Sequence, residues 1–232
     1  MEIENYKLKI MDNCPKEYKR GFKRFLGCKI DLSQKPMIPR PESEFWLKKA
    51  IKTINQGKKR VVCLDTFAGS GCIGIAVLKN CSELCQRTDF IDIIKDFLKQ
   101  IKINLSINKI SQKRYKIILS DIFENVRGKY DYIFANPPYV GLDKRHLVQE
   151  SVLNWEPLIA IFGGEDGLLY IRKFLKDARK HLKKGGKIYL EFDHMRKKET
   201  EELLKQLKYK NFRFYKDQFQ KWRWVIIRQV QG

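Results

Sequence analysis

The stretch Lys58–Asn80, "KKRVVCLDTFAGSGCIGIAVLKN", carries three kinds of local signal in order. A charged lead-in precedes the apolar run Val61–Leu64, which reads as a buried strand. The turn "FAGSGCIG" follows, and then the apolar helix former run IAVLK. Gly69, Gly71 and Gly74 satisfy G-x-G-x-x-G, a spacing that lets backbone turn tightly and bring helix N-terminal amides toward an anionic ligand. Strand, glycine turn and helix in that order open a βαβ unit, so the stretch predicts a sheet with parallel strands.

Moving outward, the same alternation continues. "CQRTDFID" (Cys85–Asp92) is a more polar second strand, and Ile94, Phe97, Leu98, Ile101 and Leu105 recur at helical spacing behind it. "YKIILSD" and "KYDYIFAN" are third and fourth strands. The spacing predicts a helix from about Gly167 to Leu182, stopped by Gly185-Gly186, then the strand "KIYLEFD", the helix "KKETEELLKQLKYK" and two closing strands in "FRFYKDQFQKWRWVIIR". The expectation is a doubly wound α/β domain with helices on both faces of a mostly parallel sheet, one closing strand running antiparallel. Residues 1–35 do not fit the alternation and form a short N-terminal extension; 36–232 form the α/β domain.

Composition narrows the class. Hydrophobic residues at 43% and aromatics at 12% suit a folded chain and are too many for a disordered one. No run of about 18 apolar residues exists, so no membrane span or membrane partner is expected, and "MEIENYKLKIMDNC" has no signal-peptide core. The six cysteines make no disulfide framework, and Cys81 and Cys85 find neither a second pair nor a nearby histidine to complete a zinc site. Reduced thiols, no metal and a cytoplasmic location are the expectation. The formal charge of +21 fits contact with nucleic acid or the ribosome through a basic surface, and equally fits lysines scattered over solvated faces.

Two positions point to chemistry. Asp92, 18 residues after Gly74 at the end of the second strand, is placed to hold the two hydroxyls of a ribose, with Asp89 as the runner-up; Asp92 also suits a cap for the helix behind it. At the end of the fourth strand stands Asn136-Pro137-Pro138-Tyr139. In an open α/β sheet, ligands gather at the carboxyl ends of strands. Prolines lack amide hydrogens, so Asn136 and the neighbouring carbonyl can accept both hydrogens of a planar NH2 group while Tyr139 stacks on it. Such a clamp aims a nitrogen at an electrophile. The three histidines have no evident partner, which disfavours a nicotinamide dehydrogenase.

Asn136-Pro137-Pro138-Tyr139 matches the NPPY motif of S-adenosylmethionine-dependent amino methyltransferases. "MIPRPESEFW" (Met37–Trp46) resembles the IPRPETE segment of the glutamine methyltransferases of peptide-chain release factors, the PrmC/HemK family. "EPLIAIFGGEDGLLYIRKFL" (Glu156–Leu175) is similar to that family's EP-x-x-AL-x-GG-x-DGL block, and Asp217 and Arg223 resemble its closing D-x-x-x-x-x-R strand pair. The resemblance implies the seven-stranded Rossmann-like sheet of class I methyltransferases, S-adenosylmethionine as cofactor, and release factors as protein partners methylated on the GGQ glutamine. It further implies that Asp65, Phe67, Gly69 and Gly71 form the turn around the donor's methionine part, that Asp92 holds its ribose, and that Asp121 and Ile122 border its adenine, with Asn136 also at the donor. Asn136, Pro137 and Tyr139 are the implied catalytic residues. Arg40, Glu42 and Pro138 join them around the substrate.

The chain departs from the family pattern in two places. Phe67 stands where the family's turn has its first glycine, and only about 35 residues precede the IPRPE-like segment. An F-x-G-x-G turn also occurs in DNA amino methylases. A nucleic-acid exocyclic amine methyltransferase therefore stays open as an alternative, and so does a non-catalytic binding module on the same scaffold.

Overall fold

The structure, a computed structural model, describes residues 13–229. Its centre is the predicted opening: strand β3 (Val61–Thr66) and helix α3 (Cys72–Asn80). Helix α3 can close onto the next strand only because residue 74 is glycine; a Cβ there would stand 2.4 Å from the ring of Phe90. The remaining strands of the sheet are β4 (Cys85–Asp92), β5 (Tyr115–Leu119), β6 (Tyr130–Ala135), β7 (Leu182–Glu191), β8 (Phe212–Lys216) and β9 (Trp222–Arg228). They form one seven-stranded sheet in the order β5-β4-β3-β6-β7-β9-β8. Pairings from β5 through β7 are parallel, whereas β9 runs antiparallel to both β7 and β8.

Side chains alternate between two cores. On β6, Phe134 packs with Trp46, Ile101 and Trp224 on one face, while Ile133 and Ala135 pack with Ile171, Phe174 and Leu204 on the other. The first face is covered by α3, by α2 (Pro41–Asn55) and by α4 (Lys95–Ile107), and the second by α6 (Leu169–Ala178) and α7 (Lys197–Gln206), with the short α5 (Glu150–Trp155) between them in sequence. The domain is doubly wound, as the alternation of elements predicts.

One feature differs from the sequence expectation, and one adds to it. Gly185-Gly186 does not stop the helix: α6 ends at Ala178, a single 3-10 turn covers Arg179–His181, and the glycines lie inside β7. They form a bulge there, since Tyr130 and Tyr132 pair with Leu182 and Lys187, so four residues of β7 lie opposite the single Asp131 of β6. The described part of the extension is ordered on the domain: α1 (Lys16–Arg20) leads into a hairpin of β1 (Phe22–Phe25) and β2 (Cys28–Asp31), whose Phe25, Cys28 and Ile30 enter the first core. Helix α4 holds the hairpin through side-chain amides. Asn104 Oδ1 accepts the Asp31 N–H at 2.7 Å and Asn108 Oδ1 the Lys29 N–H at 3.1 Å, so buried carboxamides stand in for a strand partner.

Candidate active site

The register of the sheet assembles the site. Thr66 on β3 pairs with Ile91 on β4 and Ala135 on β6, and Ala135 pairs with Leu190 on β7. The residues that follow these partners, Phe67, Asp92, Asn136 and Glu191, therefore share the carboxyl edge of the sheet. Ser120–Ile122 join them after β5, whose Leu119 pairs with Asp92.

Two cavities open at that edge. The larger, about 310 Å³, is lined by Phe67, Gly69 and Ser70 of the glycine turn, by Asp92, and by Asp121, Ile122 and Asn136. Pro138 and Tyr170 complete its wall beside Lys173. The smaller, about 170 Å³, is lined by Pro137, Tyr139, Val148, Val152 and Ile161. Met37, Arg40, Asn136 and Ala160 border both. Two compartments thus share a wall in which Asn136 supplies the carboxamide.

Asp92 organises the turn. Its Oδ2 accepts the Gly69 N–H at 2.8 Å and its Oδ1 the Ile94 N–H at 3.0 Å, so it both pins the glycine turn and caps the approach to α4. Burial raises its pKa, and these backbone donors act against that rise. Phe67 and Ile122, both in the larger cavity, adopt left-handed backbone at φ +56° and +48°. Phe67 takes the conformation that a glycine would hold without cost, and its ring packs near Phe174 and Tyr170. Asp65 lies beneath the turn, outside the cavity lining and fully buried. Its Oδ2 accepts the Gly74 N–H at 2.8 Å while Oδ1 has no partner among the described residues. Burial holds its pKa well above the usual carboxylate range, and the nearby Asp92 charge adds to this. Gly71 turns the backbone from beneath the cavity. Asp89 points elsewhere, to Arg87 and the Tyr130 hydroxyl.

The Asn-Pro-Pro-Tyr segment is braced by the GGEDGL block. Val140 N–H donates to Ile161 O at 3.0 Å and Gly163 N–H returns to Val140 O at 2.9 Å. A Cβ on Gly163 would meet Pro138 O at 2.4 Å, and one on Gly167 would meet Tyr139 O at 2.3 Å. Glycine at these positions lets one backbone lie against the other. The IPRPE-like segment is fixed by the same block: Glu156, itself buried, accepts Ile38 N–H on Oε2 at 3.0 Å and pairs with Arg40 through Oε1 at 2.6 Å.

Asn136 donates from Nδ2 to Ser43 Oγ at 3.3 Å, and its Oδ1 is buried with no partner among the described residues. A buried carboxamide oxygen without a donor costs free energy unless something else supplies one. Behind it lies a residue that sequence reading passed over. Glu191, fully buried at the end of β7, accepts from Ser43 Oγ and Trp46 Nε1 on Oε2, each at 2.7 Å, and from the Tyr139 hydroxyl on Oε1 at 2.9 Å. Burial raises its pKa, opposed by Ser43, Trp46, the Arg223 charge and Tyr139. The available signal was a carboxylate closing the apolar run "KIYL". Arg223 reaches this end of the sheet held by Asp217 at 3.1 Å, the pair singled out in the closing strands. Glu42, expected at the pocket, lies in the first turn of α2 outside the lining of both cavities; its neighbour Ser43 faces inward instead.

Residues 47–154 match the family model described as "Methyltransferase small domain". The chain is 34% identical over 228 residues to a release factor glutamine methyltransferase from Streptococcus pneumoniae, covering 97% of this chain and 78% of that protein. A methyltransferase from Pyrococcus furiosus has the same fold at a TM-score of 0.64 and 19% identity, over 98% of this chain and 99% of that one. A 16S rRNA N2 G1207 methyltransferase from T. thermophilus, solved with AdoMet and guanosine, superposes at a TM-score of 0.64 and 17% identity, over 90% of this chain and 49% of that one. These likenesses identify a class I methyltransferase fold, with S-adenosylmethionine as its cofactor.

Proposed function

The chain belongs to the release factor glutamine methyltransferase family, and we propose that it methylates the side-chain amide nitrogen of the glutamine in the GGQ motif of peptide-chain release factors. The observation that carries this reading is the wall shared by two cavities at Asn136, whose Oδ1 is buried and unpaired. When bound, S-adenosylmethionine supplies a methyl group on a positively charged sulfur. The residues of the larger cavity fit that group. Gly69 leaves room at the turn, Asp92 faces the ribose hydroxyls, and Asp121 with Ile122 flanks the base, while beneath the lining Gly71 packs the turn against Ile101 and Ile75 and the unpaired Asp65 Oδ1 suits an amine. Phe67 closes the wall on the side of Tyr170.

In the smaller cavity, Asn136 Oδ1 and the Pro137 carbonyl accept the two hydrogens of the substrate carboxamide, while Tyr139 packs on its plane and Arg40 borders it; Pro138, expected at the substrate, lines the larger cavity instead. Two acceptors facing two hydrogens fix the nitrogen's position and draw electron density onto it as it attacks. Positioning and preorganised dipoles supply the acceleration. An amide oxygen and a peptide carbonyl are too weakly basic to keep the departing proton, so it passes to water.

The test is transfer of label from S-adenosylmethionine to a release factor. Label should enter the intact factor and be lost when its GGQ glutamine is changed, with ribosomal RNA and DNA as parallel acceptors. Label entering only nucleic acid would overturn the reading. Asn136→Ala should remove most turnover while leaving donor binding nearly intact.

The basic surface supports a second contact, with RNA of the ribosome. The chain carries a net +21, and Lys197 at the start of α7 and Lys216 on β8 lie over the Trp222 ring of β9 at 5.6 and 5.2 Å, on the same hairpin as the 60%-exposed Phe219. Such binding should weaken steeply with salt. No helix among the described residues is long and apolar enough to cross a membrane, and the six free thiols support a cytoplasmic setting.

A further inference from the structure

A carboxamide has two ends of nearly equal size and opposite hydrogen-bonding sense. Asn136 can hold a substrate NH2 only if its oxygen faces the smaller cavity; turned over, it would present a second donor. Asn136 does not itself decide between these orientations.

The decision begins at Glu191. As a carboxylate it can only accept, and three donors converge on it from two elements: Ser43 and Trp46 of α2 and Tyr139 after β6. Arg223 on β9 adds a positive charge nearby. Ser43 owns one hydroxyl hydrogen, and at 2.7 Å from Glu191 Oε2 that hydrogen is committed. Toward Asn136, Ser43 Oγ therefore has only lone pairs to offer. The end of Asn136 that approaches it at 3.3 Å must be the NH2, and Oδ1 is left pointing away, buried and unpaired. The chain of hydrogen bonds runs in one sense from Asn136 through Ser43 to Glu191.

We infer that Ser43 and Glu191 are positioning residues: together they set the Asn136 carboxamide so that its oxygen, not its nitrogen, meets the substrate amide. The inference rests on the proposed glutamine-amide reaction for its kinetic test, but its structural half stands apart. Trp46 occupies the same oxygen of Glu191 and keeps the carboxylate from turning. Tyr139, on the other oxygen, ties the stacking ring to the same group. One buried carboxylate thus orients both members of the substrate clamp that carry side-chain polarity.

Three measurements test this. In the donor-free, ¹⁵N-labelled protein, an Asn136 side-chain amide hydrogen should show a nuclear Overhauser contact to the Ser43 β-hydrogens; amide hydrogens without that contact would overturn the relay. With saturating donor and a release factor the wild type methylates, Ser43→Ala should lower kcat about tenfold, the factor equal to ~1.4 kcal/mol of lost orientation. Ser43→Thr, which keeps the hydroxyl, should restore it, and donor affinity by calorimetry should be the same in all three. A loss shared by the threonine variant, or one explained by weaker donor binding, would sink the idea. Finally, Asn136→Asp presents an oxygen whichever way it turns, so adding Ser43→Ala to it should change kcat by less than about twofold. The same fractional loss in both backgrounds would refute orientation control. A wild type inert toward release factors would instead count against the proposed reaction, leaving the magnetic-resonance contact to judge the relay.

Discussion

Tyr139 donates its hydroxyl hydrogen to Glu191 Oε1 at 2.9 Å, joining the last residue of the Asn-Pro-Pro-Tyr segment to the last residue of β7. Burial holds the tyrosine pKa well above its ordinary range, and the Glu191 charge raises it further against Arg223, so Tyr139 keeps its proton and is a donor at neutral pH. Tyr139→Phe keeps the ring and leaves Glu191 Oε1 without its donor. The unpaired buried oxygen should cost ~1–3 kcal/mol in urea unfolding. Turnover should fall less than in Asn136→Ala, because the apolar face of the clamp survives.

Arg40→Ala should destabilise the protein by about 2 kcal/mol, below the ~3–5 kcal/mol of a fully buried broken pair because Arg40 is partly solvated and Ile38 still donates to Glu156. Pairing it with Glu156→Gln removes the stranded charge. The double variant should therefore be less destabilised than the sum of the two singles, read by chemical denaturation as a double-mutant cycle.

Phe67 sets two effects against each other: a left-handed backbone at φ +56° and aromatic packing near Phe174. Both Phe67→Gly and Phe67→Ala lose the ring, but only glycine relieves the backbone. Phe67→Gly should be more stable than Phe67→Ala by ~1 kcal/mol, a difference measurable from their denaturation midpoints. Equal stabilities would mean that the turn relaxes when the ring leaves.

Asp65 is a buried carboxylate whose pKa burial has raised, so its charge opposes folding at neutral pH. The sign follows by linkage: the native state binds this proton more tightly than the unfolded chain, so the penalty is fully present above the raised native pKa and is relieved as pH falls through it. Asp65→Asn can still accept from Gly74. It should raise the Tm of the donor-free protein most at neutral and alkaline pH, with the gain shrinking on acidification, while donor affinity falls. Scanning Tm against pH for both proteins checks the sign.

What could be read from the chain alone lay within short windows. The run Val61–Leu64, the glycines at 69, 71 and 74, Asp92 at a strand end and the Asn136–Tyr139 segment each declare themselves through neighbours a few residues away. The mostly parallel, doubly wound class of the sheet also follows from the alternation of strands and helices, because crossovers are right-handed, whereas the order of the strands is seen only in the fold. The Gly185-Gly186 pair shows where such windows mislead: two glycines after a helical pattern look like a stop, yet here they bulge a strand, and only the partner strand's register distinguishes the two.

The rest was decided by tertiary contact. Ser43 and Glu191 are separated by 148 residues, Arg40 and Glu156 by 116, and Asn136 and Ser43 by 93. A serine near a helix start and a glutamate closing an apolar strand are each unremarkable in sequence. Sequence alone therefore determined which backbone segments reach the carboxyl edge of the sheet and which amide would stand there. Only the folded chain decided which way that amide faces, because a hydrogen bond's direction depends on where its partner's single proton has already gone.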